Sequence, residues 1–244
     1  MRRTNPVYNK IESMEDLYAG SYVSASYRGI GVKTLLYILI TIIGAALGIY
    51  MFINNPNAYV TTLIISGILT FVCALLAMSV PKASMIAGTL YCLFEGIFIG
   101  VLSLLAEAVV GGVVITAVLG TISVVLVVSV MYITGLVKVT QGFYRFLFMF
   151  AVGFMVCMLL LLLFSFFPVF SGLFNNFGVV LLVSIISLFL ASLYLFFDLK
   201  QAQNIVESGS PKEFEWMAAF GIAYTILWIY VQILRIAVMF SRNN

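Results

Sequence analysis

The sequence predicts an all-α integral membrane protein with seven transmembrane helices. Of its 244 residues, 64% are hydrophobic and only 9% are charged, which is far from the balance of a soluble domain. The charged residues lie in short connectors between apolar stretches, and each stretch is long enough to cross a hydrocarbon layer of about 30 Å. No soluble domain remains once these stretches are removed.

The apolar stretches predict seven spans in succession. Their approximate bounds are 34–52, 59–78, 84–105, 113–134, 146–167, 178–197 and 217–240. The connectors contain turn-forming residues: NNPNA, PKAS, the glycine pair at 111–112 and FPVFSGLFNN. The apolar band over 84–134 is divided into two helices, because about fifty residues cannot cross the bilayer once. We expect a polar tail over 1–33 and a membrane domain over 34–240.

The basic residues predict the orientation, because Lys and Arg are enriched in cytoplasmic loops. With the amino terminus inside, ten of the twelve basic residues fall on the inner side. These are Arg2, Arg3, Lys10, Arg28, Lys33, Lys82, Lys138, Arg145, Lys200 and Lys212. The carboxyl terminus is then predicted outside, and the alternative is a re-entrant last segment that returns Arg242 to the inside. The polar tail is not expected to be a cleavable signal peptide, because no apolar run follows it within the usual distance.

Absent residues and motifs argue against several classes of function. Histidine is absent, and no nucleophile elbow, phosphate loop or zinc motif is present, so we expect no enzyme activity. Cys73, Cys92 and Cys157 all fall within predicted spans and lack metal-ligand spacing, so we expect buried small hydrophobic residues and no firm metal site. The net charge of +3 reflects the inner-side bias and gives no support for nucleic-acid binding.

Glu95, in YCLFEGIFIG, is a carboxylate about 16 Å into the third span. A charged side chain at that depth costs at least about 2.5–3.5 kcal/mol, so it must face other helices, water or a partner. Gly96 and Gly100 form a small-xxx-small pair that allows close approach of another backbone. Two interpretations stay open: a neutral acid hydrogen-bonded at a tight helix contact, or a group on an ion or proton path.

The sixth and seventh spans carry small and polar residues at intervals of three and four, which places them on one helix face. The two stripes are Ser184, Ser187, Ala191, Tyr194 and Asp198, and Ala218, Gly221, Thr225, Trp228, Gln232 and Arg235. The second stripe predicts that the last helix is central. Small-residue stripes often reflect close packing, but packing alone does not require Asp198, Gln232 and Arg235. We expect Arg235 to extend towards the membrane surface.

Several motifs carry a resemblance to a known family. EGIFIG in the third span, LYLFFDLKQAQNIVESG at the end of the sixth and EWMAAFGIAYTILWIYVQILRIAV in the last resemble the Bax inhibitor-1/YccA-like family, in its bacterial branch. The resemblance implies a seven-helix fold in which the last helix is surrounded by the other six. It also implies a pH-dependent calcium leak across the bacterial plasma membrane, cell-death suppression in eukaryotes and, in bacteria, a link to a membrane protease.

The resemblance further implies a pair of aspartates, one at the end of the sixth span and one within the seventh. Asp198 matches the first, but no acid lies near 221–223, so Glu215 or Glu213 is left as a candidate partner from the inner loop. Two close carboxylates share a proton, and a transiently bound Ca²⁺ would compete with it. Alternatively, a salt bridge from Asp198 to Lys200 or Lys212 latches the two helices together.

Three functions therefore remain open at the level of sequence. The first is a cation leak through a route from Asp198 past Glu95, with Glu215 as a further group on the ion path or pH sensor. The supporting groups are Glu213, Tyr194, Gln232 and Arg235. The second is an interaction protein that regulates another membrane protein, such as a protease, without transport. The third is a secondary transporter, which ranks last because no proline interrupts the predicted spans.

Overall fold

Helices make up nearly all of the protein, as described by a computed structural model over residues 23–55, 59–165 and 176–242. They are α1 Tyr27–Asn54, α2 Tyr59–Ser79, α3 Ser84–Val109, α4 Val113–Ile133, α5 Gln141–Ser165, α6 Phe177–Glu207 and α7 Phe214–Arg242. All seven are long and apolar enough to cross a membrane. The predicted seven-helix fold is confirmed. The predicted boundaries of the membrane domain, 34–240, stay a prediction, because the ends of a helix do not show which part of it lies in the membrane.

Polar side chains fix where several helices begin. The Ser26 hydroxyl accepts a hydrogen bond from the backbone N–H of Gly29 at 3.0 Å and caps α1. Glu107 lies in the last turn of α3, and its carboxylate accepts from the backbone N–H groups of Gly112 at 2.5 Å and Val114 at 2.9 Å. Gly112 adopts a φ of 82°, which favours glycine, so the chain turns sharply there. Glu107, the charged residue within the long apolar band over 84–134, thus caps α4.

Glycines bring α1 and α3 into backbone contact. A methyl group added at Gly44 would lie 3.1 Å from the Cα of Gly96, and one added at Gly48 would lie 2.5 Å from the carbonyl oxygen of Ile97. Gly100 faces the α1 backbone in the same way. The small-xxx-small pair in the third span therefore packs as predicted, against a matching glycine pair in the first.

The last helix is central among the described helices. It packs extensively against α1, α3, α4 and α6 and touches α2, and half of its most apolar stretch is buried, a larger share than in any other described helix. Ala218 and Thr225 are buried, and Gly221 is partly buried. The stripe of small residues identified in the sequence thus faces the bundle interior.

The helix α5 is peripheral. It packs mainly along α6, and only 6% of its most apolar stretch is buried. Cys73 and Cys92 are buried as expected, but Cys157 on α5 is exposed. The expectation of burial for Cys157 is wrong, because hydropathy does not distinguish a helix that faces lipid from one that faces protein.

The starts of α1 and α7 meet at one end of the bundle. The backbone N–H of Ala25 donates to the Ser210 carbonyl at 2.8 Å, and that of Lys212 donates to the Val23 carbonyl at 3.0 Å. Because consecutive helices alternate in direction, the α2–α3, α4–α5 and α6–α7 connectors share this end. We call it the basic face, since Lys33, Lys82, Lys138, Lys200 and Lys212 lie near it.

Candidate functional site

Asp198 faces the central helix from α6. The Thr225 hydroxyl donates a hydrogen bond of 2.5 Å to Asp198 Oδ2. On the same side, a methyl group added at Gly221 would lie 3.3 Å from Asp198 Oδ1, so the absence of a side chain at Gly221 leaves room for the carboxylate. The three- and four-residue spacing of the two stripes produces this meeting, because it aligns small residues on α7 with the polar face of α6.

Among the described residues, no second acid lies against Asp198. The backbone of Gly221 and the hydroxyl of Thr225 occupy the place where the resemblance implies the partner aspartate. The described part of the chain therefore contains an acid–hydroxyl pair at this contact, and an ionised Asp198 has a hydrogen-bond donor there.

Tyrosines connect Asp198 with Glu95 across α7. Tyr224 lies near Glu95, Tyr194 and Asp198, and the Tyr91 and Tyr224 rings lie 5.6 Å apart between centroids. Tyr91 also lies near Glu95. Glu95 is partly buried and makes no hydrogen bond or ion pair within the described residues. The structure thus places both predicted carboxylates near one tyrosine of the central helix.

A further polar group, Gln232, lies on α7 itself. Gln232 is 6% exposed, and its Oε1 atom has no hydrogen-bond partner within the described chain. Eight residues separate it from Tyr224, which corresponds to about 12 Å along a helix. Arg235 is exposed. Gln232 therefore provides a buried oxygen atom on the central helix about 12 Å from the level of Tyr224.

Glu215 lies elsewhere, at the start of α1. It is 1% exposed, and its carboxylate accepts hydrogen bonds from the Ser26 backbone N–H at 2.8 Å, the Ser26 hydroxyl at 3.1 Å and Lys33 Nζ at 2.5 Å. A carboxylate at a helix amino terminus is favoured by the unpaired N–H groups and the helix dipole. Lys33 Nζ also lies 4.8 Å from the Trp216 ring centroid.

The structure does not bring Glu215 to Asp198. The residues that Asp198 faces, Gly221 and Thr225, are six and ten positions after Glu215, or about 9–15 Å along the helix. Glu213 is exposed and makes no ion pair within the described residues. The pairing of Asp198 with an acid of the loop is therefore absent from this arrangement.

A lysine latch on Asp198 is also absent from the described part of the chain. The one ion pair across residues 23–55, 59–165 and 176–242 joins Lys33 and Glu215. Lys200 Nζ instead donates to Gln203 Oε1 at 3.1 Å. The sequence does not identify Lys33 as the partner of Glu215. It does mark the place where Glu215 binds, because the position of Ser26 before the first apolar run suits a helix cap.

The family of the chain follows from a comparison with protein-family models. The model described as Bax inhibitor 1 like matches residues 5–242. The chain belongs to this family. A search of curated proteins finds no match. Membership in the Bax inhibitor 1 like family confirms the resemblance carried by the third, sixth and seventh spans, and with the seven apolar helices it indicates a multi-pass membrane protein.

Proposed function

We propose that this Bax inhibitor 1 like protein is a pH-sensitive cation leak, with Ca²⁺ among the ions that pass. The proposal rests mainly on one observation: the Asp198 carboxylate lies against the central helix, hydrogen-bonded to Thr225. Adding or removing one proton at Asp198 changes the charge between α6 and α7. It also changes the hydrogen bond between Asp198 and Thr225. A carboxylate is also a ligand type that Ca²⁺ prefers.

The route that we propose runs beside α7, from Asp198 past Glu95 to Gln232. All three supply oxygen atoms, and the Gln232 carbonyl oxygen is buried without a hydrogen-bond partner within the described residues. A buried polar atom without a partner is costly, so it requires a transient partner such as water or a cation. We place the protein in the bacterial plasma membrane with the basic face cytoplasmic and the carboxyl terminus outside, and we assign it no enzyme activity.

Calcium flux into liposomes containing the purified protein, measured between pH 6 and 8, tests the proposal. Replacing Asp198 with Asn should abolish the pH dependence, because the titrating group is gone. Glu213→Gln is the matched control: it removes an exposed acid near the basic face and should leave the pH dependence unchanged. An unchanged pH dependence in the Asp198 variant would move the sensor to Glu95 or Glu215.

Glu95→Gln separates the two interpretations of the buried acid. The amide preserves shape and hydrogen-bonding capacity, so a neutral packing group should tolerate the change in both stability and flux. A group on the route should retain stability but show lower flux or lower proton sensitivity. A loss of stability together with flux would indicate that the anion is paired, contrary to the proposed route.

The second candidate is an interaction protein that restrains another membrane protein, such as a protease, without transport. The peripheral α5 favours it, because this helix presents most of its apolar surface outside the bundle. Flux no greater than in empty liposomes at every pH would support this function and exclude the leak. Cys157 is exposed on α5, so a crosslinker attached there would then capture the partner.

A further inference from the structure

A cavity of about 590 Å³ opens at the basic face, outside the Asp198 contact. It is formed by the second turn of α1, the α2–α3 connector with the start of α3, and the α6–α7 connector with the start of α7. Three of the residues that line it are lysines, Lys33, Lys82 and Lys212, and Glu213 is the one acid among them. The cavity therefore carries an excess of positive charge.

Two of the three lysines are available to a ligand. Lys82 and Lys212 are exposed, and neither forms an ion pair within the described residues. Lys33 is different, because its Nζ is 2.5 Å from the buried Glu215 carboxylate, which offsets its charge. The arrangement leaves Lys82 and Lys212 as the two unpaired ammonium groups of the cavity within the described residues.

The remaining lining is apolar and aromatic. Pro81, Met85 and Trp216 contribute to the wall, and Met85 is 51% exposed. Tryptophan is enriched at the level of lipid headgroups, where one part of its ring is apolar and the other is hydrated. A ligand with a charged phosphate next to an apolar portion fits such a wall better than a fully hydrated ion does.

We propose that this cavity binds the phosphate of an anionic phospholipid headgroup, with Lys82 and Lys212 contacting the phosphate and Trp216 beside the glycerol region. Lysine is a point-charge donor to phosphate. Basic pockets between transmembrane helices near a membrane surface suit anionic headgroups. The site stands independently of the proposed ion leak, because none of its residues contacts Asp198.

Tryptophan quenching in vesicles tests the site on the full chain. In a Trp228→Phe background, Trp216 is the single tryptophan, since the chain has two. Vesicles of phosphatidylcholine contain increasing fractions of brominated phosphatidylglycerol or of brominated phosphatidylcholine. We expect half-maximal quenching at a roughly tenfold lower fraction of the anionic lipid, and equal quenching by the two lipids would overturn the proposal.

Charge-removing variants assign the preference to the cavity. Lys82→Gln with Lys212→Gln should bring the tenfold preference to about one, because two lysines that contribute up to roughly fivefold each are together sufficient to produce it. Lys138→Gln with Lys200→Gln removes the same charge from the same face outside the cavity and should keep most of the preference. Equal losses in the two pairs would show a general surface-charge effect and overturn the site. Circular dichroism and gel filtration verify that both pairs fold.

A separate titration distinguishes lipid phosphate from free phosphate. Inorganic phosphate is added to the same protein in pure phosphatidylcholine vesicles without bromine, and Trp216 fluorescence is recorded. We expect no saturable change below about 10 mM, since a free anion lacks the apolar portion that meets Trp216. A saturable change that depends on Lys82 and Lys212, together with no lipid preference, would assign the cavity to a soluble phosphate and refute the lipid assignment.

Discussion

Removing Glu215 tests the contact that joins the first and last helices. Glu215 is 1% exposed and accepts three hydrogen bonds, two from Ser26 and one from Lys33. Glu215→Ala leaves the Ser26 N–H and the Lys33 ammonium without this acceptor, and the Lys33 side chain is only 12% exposed. The substitution therefore removes one member of a buried ion pair and keeps the other.

Such a removal costs about 3–5 kcal/mol when the remaining charge stays buried. Partial access of Lys33 to water lowers that cost, while the unpaired Ser26 N–H adds about 1–3 kcal/mol. We expect Glu215→Ala to lower the free energy of unfolding by about 3–5 kcal/mol. Lys33→Met in addition should recover at least about 1 kcal/mol, because it removes the unpaired charge and preserves the apolar length of the side chain.

Equilibrium unfolding in mixed detergent micelles measures these free energies for both single variants and the double variant. Glu213→Ala is the matched control, because this exposed neighbouring acid should change the free energy by no more than about 0.5 kcal/mol. A coupling energy between Glu215 and Lys33 below about 0.5 kcal/mol would refute the reasoning. So would an equal cost for the Glu213 change.

The same unfolding assay tests two glycine contacts. Gly29→Ala would place a methyl group on the Glu215 carboxylate and should cost about 1–3 kcal/mol, whereas Gly31→Ala, with nothing within 4 Å, should stabilise α1 by up to about 1 kcal/mol. Gly96→Ala would force α1 away from α3 and should cost about 1–3 kcal/mol, whereas Gly67→Ala meets no atom within 4 Å and should not destabilise the fold. Equal effects within either pair would contradict the close approach of the backbones.

The sequence predicts the helices because the bilayer sets their length and composition. It does not predict how far they continue beyond the membrane. The sixth apolar span was placed at 178–197, but α6 continues to Glu207. Six of the ten added residues, DLKQAQNIVE, are polar, and Leu, Lys, Gln, Ala and Glu among them are good helix formers, so they prolong the helix without a hydropathy signal. The peripheral position of α5 is likewise invisible, since an apolar helix can face lipid or protein.

The site was predictable where its residues follow one helical repeat. Asp198 ends the stripe of small residues on α6, and Thr225 lies within the stripe on α7. Helix packing brings the two stripes together. The partner of Glu215 was not predictable, because Lys33 lies 182 residues away in the sequence and no local pattern relates the two. The lack of an acid near 221–223 leaves Glu215 as a candidate partner of Asp198 in the sequence, whereas its burial at a helix start requires a cation and N–H donors.

The hydrogen bond between Asp198 and Thr225 has a consequence for how a proton would act. Two adjacent carboxylates titrate together in two coupled steps, because the first proton changes the affinity for the second. Threonine does not titrate, so Asp198 at this contact is a single site. The flux through the proposed leak should then follow a one-proton curve if Asp198 alone is the sensor. A curve with two steps would mean that Glu95, the other acid of the proposed route, titrates as well. The shape of the curve in Glu95→Gln therefore decides whether the leak senses protons at one place or two.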